Sequence, residues 1–213
     1  IRDWWVLRSY EPSARVQAIA DATSMNSEGR RLFYLYDPQI EDAAAFNDNC
    51  TISESSIVLG CYDGANIYIF DVTDPRLNGI HEVTAAHELL HAAYERLSDT
   101  ERARVDALTA RQLQKLSDSR MLETIAQYRA RDPSVVPNEI HSIFGSEIAD
   151  LDPELETYYA QYFTDRARVV ALAKQYEQQF NENAAQRDRL KATITLNRSE
   201  ERRVGKECRS RWS

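Results

Sequence analysis

Residues 84–93 read TAAHELLHAA, and this stretch limits the folded chain more than any other. Ala85, Ala86, Leu89, Leu90, Ala92 and Ala93 are all uncharged, with Thr84 leading in. In a helix, positions i and i+4 lie on one face, a turn apart. His87 and His91 can therefore offer both imidazoles to one point, and Glu88 stands one step round the helix from His87. Burying that trio in an apolar helix without a metal would strand polar groups. The spacing therefore points to a metal centre. Zinc (Zn2+) accepts imidazole nitrogen at about 2.0–2.1 Å, and a catalytic site keeps one position open for water. Zinc brings the pKa of that water down to about 7. Glu88 is placed to take the water's proton as general base and to deliver it later to a leaving amine.

The length of 213 residues suits one medium domain with an appended helix. A formal charge of −8 argues against nucleic acid as a partner, because phosphate backbones require basic stripes. No run of about 18 apolar residues occurs, so no span of the membrane is expected here. The chain opens at Ile1 without a Met, so we expect a fragment whose N-terminal membrane anchor preceded it. Residues 198–213, RSEERRVGKECRSRWS, resemble the in-frame translation of a sequencing-adapter oligonucleotide and are read as an artefact. Without their six basic and three acidic residues the charge becomes −11, and Cys208 leaves the count. The pair that remains, Cys50 and Cys61, can close a loop worth about 2–4 kcal/mol if bridged. A bridge implies an oxidising compartment; two buried free thiols are the alternative.

Periodicity gives the order of elements. Pro12–Thr23 has Val16, Ile19 and Ala20 at helical spacing. Leu32–Tyr36 (LFYLY) is a short aromatic run and predicts a strand. Ile40–Asn47 predicts a short helix. Ile57–Tyr62 and Ile67–Val72 predict strands, joined by the hairpin signal Asp63-Gly64-Ala65-Asn66. From Glu82 onward the pattern is helical: 83–97, 100–116, 121–129, a loop bracketed by Pro133 and Pro137, then 138–151 with Asn138 as N-cap. Pro153 opens another helix, and 166–194 is a long charged helix with Val169, Leu172, Tyr176 and Phe180 on its apolar side. The expected fold class is α+β, a small antiparallel sheet followed by helices. The expected parts are a domain over 1–165, a helical extension over 166–197 and the artefact over 198–213.

With IYIFDV ending about 15 residues before the HELLH motif, the chain resembles the zincin metallopeptidases. It lacks the third His that metzincins carry, since Leu97 stands there. It is closer to the gluzincins, whose third ligand is a Glu on a later helix, often with Asn before it. Asn138-Glu139-Ile140-His141-Ser142 matches that pattern. The match implies that Glu139 completes the metal set, with Glu147 as the alternative and His141 behind it. Ile143 departs from the pattern, standing where a polar side chain usually supports a zinc-bound His, so that support must come from elsewhere. Related enzymes also use a Tyr or His to stabilise the tetrahedral intermediate, which makes His141, Tyr158 and Tyr159 catalytic candidates. Over about residues 10–180, GRRLFYLYDPQI, AAAFNDNC, IVLGCY, VTAAHELLHAAYERL, NEIHSIFGSE and YYAQYFTDR resemble a membrane-anchored family of actinobacterial and candidate-phyla proteins. The resemblance implies a zinc peptidase outside the bacterial cytoplasmic membrane, acting on a peptide or protein substrate. The rival expectation is a non-catalytic zinc-containing scaffold, or an interaction module that forms a homo-oligomer through the C-terminal helix.

Overall fold

The computed structural model describes residues 2–50 and 59–210. The chain divides into two units, residues 1–175 and 176–213. The second is the greater part of the last helix and is taken by itself: a solvated helix that exposes Phe180, Leu190, Ile194 and Leu196.

In the first unit, α1 (Arg2–Ser9), α2 (Ala14–Ala22) and α3 (Ser27–Leu35) precede the sheet. The strand expected over Leu32–Tyr36 is helix as far as Leu35, with Tyr36 as its C-cap. Asn26, two residues past the end of the previous turn, caps α3 by accepting from the N–H groups of Glu28 and Gly29. Gly29, Leu32 and Phe33 then fall on one buried face. Aromatic β-propensity is a weak, context-dependent preference, and a capped helix that buries Phe33 completely outweighs it.

The sheet is mixed, not antiparallel as expected. It runs β1 (Gln39–Glu41), β3 (Ile67–Phe70), β2 (Gly60–Tyr62), with β3 in the middle. β2 and β3 form the antiparallel hairpin that the DGAN turn predicts, with the Asp63 carboxylate accepting from Ala65 and Asn66 and Gly64 at φ 90°. β1 pairs with β3 in parallel. The expected helix over Ile40–Asn47 begins only at α4 (Ala43–Asn49), because Asp42 caps it and leaves Ile40 to the sheet. Ile57 and Val58, the start of the expected strand, lie outside the described residues. Cys50, at the end of α4, is disulfide-bonded to Cys61 of β2.

The buried helix is α5 (Ile80–Glu95), launched from Gly79, whose φ of 95° is the left-handed conformation that glycine takes without strain. α5 packs on β2, β3, α2, α3 and α8. Leu89 and Leu90 are fully buried, each worth about 1.5–3 kcal/mol of transfer free energy. α6 (Asp99–Leu113) starts with a Ser98–Glu101 capping box, and α7 (Ser119–Arg131) is capped by Asp118.

α8 (Val136–Ser146) starts two residues before the expected point. Pro137 lies in its first turn, where a helix N–H has no partner to lose. Asn138 is therefore inside the helix and not its cap, which frees its side chain for other work. α8 ends at Ser146, short of the expected Leu151, and α9 (Pro153–Tyr159) and α10 (Arg166–Ser210) follow. Arg166, nearly buried, donates to the carbonyls of Phe144, Ile148 and Ala149 and pairs with Glu156. A cation among the last carbonyls of a helix is favourable, and here it fixes the end of α8.

α8 closes on α5 at Gly145. A Cβ there would stand 2.3 Å from Leu90 Cδ1 and 2.6 Å from Tyr159 Cε1. We expect Gly145→Ala to cost about 1–3 kcal/mol, as overpacking of filled cores does. Each kcal/mol should lower the melting temperature by about 2–4 °C, which a thermal melt of the metal-free protein would show.

Candidate metal centre

α5 carries His87 and His91 on one face, their ring centroids 4.7 Å apart. α8 lies across them and brings Glu139 between. Its Oε2 is 3.7 Å from His87 Nε2 and 3.7 Å from His91 Nε2. Among the described residues, His87, His91 and Glu139 form a group able to hold a metal ion. All three side chains are largely buried.

The fit to a cation can be judged from the group itself. Glu139 Oε2 is buried and has no hydrogen-bond partner, although buried carboxylates are costly unless they are paired or coordinate metals. Ligands about 2.0–2.1 Å from a tetrahedral ion lie about 3.4 Å apart, a few tenths of an ångström inside the observed 3.7 Å. The donor set of two imidazoles and one carboxylate matches a site that keeps a position free.

Each ring is turned to offer Nε2. His91 Nδ1 lies 3.0 Å from Asn138 Oδ1, an acceptor that sets the Nδ1–H tautomer and leaves Nε2 its lone pair. On the other side of His87, Nδ1 faces Ser146 Oγ at 3.5 Å and Glu147 Oε1 at 4.0 Å. Glu139 also receives a side-chain hydrogen bond from Tyr128 of α7. Tyr128 and the orienting role of Asn138 were missed from sequence. The Asn-Glu pair was the one visible signal: it was read as part of the gluzincin-like pattern, with Glu139 as ligand, and Asn138 otherwise as a cap.

Glu88 is buried on the side of α5 that meets β2. Gly60 of β2 makes room for it: a Cβ there would stand 2.4 Å from Thr84 Cγ2 and 2.9 Å from Glu88 Oε1. His141, Tyr158 and Tyr159 make hydrogen bonds with one another. His141 Nε2 meets Tyr158 Oη at 2.9 Å, and Tyr159 Oη donates to the His141 carbonyl at 2.7 Å. His141 and Tyr159 are fully buried, so the three tie α8 to α9. Burial, with His91 and His87 nearby, pushes His141 down to about 3 and keeps it neutral.

The electrostatics split the two histidines. Burial disfavours charge on His87, but Glu139, Glu88 and Glu147 outweigh it and raise its pKa to about 9. Burial and then the neighbouring His87 push His91 down to about 4. Burial opposes ionisation of Glu139, yet His87, His91 and Tyr128 hold its carboxyl below the ordinary value. At neutral pH the metal-free group therefore holds one proton on His87, and a metal must displace it. Affinity should rise about tenfold per pH unit from His91's pKa of about 4 toward neutral pH, as entry of the metal displaces the proton that His87 holds up to about 9. Calorimetry in buffers of different ionisation heat should give about one proton released per metal near pH 6, rising above pH 7 as the bound water ionises.

No family model, curated protein or solved structure matches this chain.

Proposed function

We propose that this chain is a zinc-dependent metallopeptidase of gluzincin type, with a zincin-like fold, hydrolysing peptide bonds outside the cytoplasm. The observation that carries this reading is the orphaned Oε2 of Glu139, equidistant from two histidine Nε2 atoms and one helix face from Glu88. His87, His91 and Glu139 would hold the ion, which when bound supplies Lewis-acid polarisation of a peptide carbonyl and of the attacking water. Glu88 accepts the proton of that water and passes it to the departing amine. Gly60 keeps β2 close against Glu88, and among the described residues β2 ends the sheet order, so a peptide can add beside it as a further strand. The Cys50–Cys61 bridge supports an oxidising compartment.

The test is zinc analysis together with cleavage of an unfolded protein such as reduced, alkylated casein. We expect one zinc per chain and cleavage that stops with a chelator and returns with zinc. A chain that takes up no zinc, or takes it up and leaves every unfolded substrate intact, refutes the assignment.

A further inference from the structure

We propose that Glu147, steadied by Arg120, is a positioning residue that holds His87 from its Nδ1 side, and that the two carboxylates of α8's end regions divide the work. This inference rests on the metal-site reading above.

The two nitrogens of His87 face different acids. Nε2 faces Glu139 Oε2 at 3.7 Å, and Nδ1 faces Glu147 Oε1 at 4.0 Å. The two nitrogens of an imidazole point away from one another, so a group on Nδ1 stands behind the ring as seen by an ion on Nε2. Glu147 thus cannot join the ion without a flip of His87. Ser146 Oγ is nearer to Nδ1, at 3.5 Å, and with its own hydrogen given to the Ser142 carbonyl at 2.7 Å it is a neutral acceptor there, beside the charged one of Glu147. The other oxygen of Glu147 lies 3.8 Å from Arg120 of α7. The line Arg120–Glu147–His87 places a charged acceptor behind one ligand, as Asn138 places a neutral one behind His91. A carboxylate on the far nitrogen fixes ring orientation and makes the near nitrogen a stronger donor. Ile143, which departs from the pattern at the place where a polar side chain usually gives this support, is a buried apolar residue; the role falls four residues on, to the first residue past the helix.

The experiment measures zinc affinity by chelator competition and the visible spectrum of the cobalt-substituted protein. It compares wild type, Glu147→Ala, Glu147→Gln and Arg120→Ala. We expect Glu147→Ala to bind zinc about 10–100-fold more weakly, with the wild-type cobalt band intensities retained because no ligand is lost. Glu147→Gln, which keeps an acceptor and loses the charge, should recover part of the deficit, and Arg120→Ala should show a smaller one. Melts of the metal-free variants matching wild type separate this from a folding defect. Unchanged affinity in Glu147→Ala overturns the positioning role while leaving the metal site standing. A changed cobalt spectrum in that variant makes Glu147 a ligand and overturns the role as well. A wild type that binds neither metal removes the metallopeptidase reading and this inference together.

Discussion

Glu88→Gln should retain one zinc per chain and lose about 10²–10⁴-fold in kcat, the range that a positioned general base contributes. That loss corresponds to about 2.7–5.4 kcal/mol of barrier. Glutamine is close to isosteric with glutamate, so it can occupy the same buried space beside Gly60 and Thr84. It cannot accept the proton. The variant therefore separates chemistry from folding and from metal uptake, and a peptidase assay beside metal analysis reads both. Activity persisting in Glu88→Gln would remove Glu88 from the reaction. Loss of zinc in the same variant would make it a support of the centre and not its base.

The second large effect is expected at Glu139. Four-ligand zinc sites in small domains bind with about 10–16 kcal/mol, about 3 kcal/mol for each ligand. Glu139→Ala should therefore weaken zinc binding by more than a hundredfold and abolish cleavage. It should also change the proton balance. Glu139 is the first among the carboxylates that raise His87 to about 9, so without it the His87 pKa falls and fewer protons leave when metal enters at neutral pH. The metal-free variant should be less stable than wild type at neutral pH, since it loses the carboxylate that favours the charged form of His87 and accepts from Tyr128. Competition titrations and melts in chelator test both statements. A variant that keeps wild-type affinity would show that the acid between the two imidazoles is not a ligand.

Much of the local structure was legible because its causes are local. The i, i+4 spacing of His87 and His91, the DGAN turn and the starts of α6 and α9 depend on a few neighbouring residues. Errors came where a short signal had two meanings. Asn138 was read as a cap and is a partner of His91, 47 residues away. LFYLY became a helix because the burial of Leu32 and Phe33 was decided by the rest of the core. The parallel pairing of β1 with β3 has no local signature at all.

The residues of 84–93 by themselves determined that the chain has a buried helix with two imidazoles and a carboxylate on nearby faces, because helical geometry repeats over four residues whatever surrounds it. The spacing of Cys50 and Cys61 allowed a bridge without requiring it, and the bridge joins the end of α4 to β2. Only the tertiary structure decided which acid meets the histidines. Glu139 lies in the first turn of α8 and Glu147 just past its end, and nothing in their spacing tells a ligand from a support. The choice follows from how α8 lies across α5, which Gly145, the α9 tyrosines and Arg166 set by close packing and carbonyl contacts far along the chain. That approach puts Glu139 against both Nε2 atoms and leaves Glu147 behind the ring of His87.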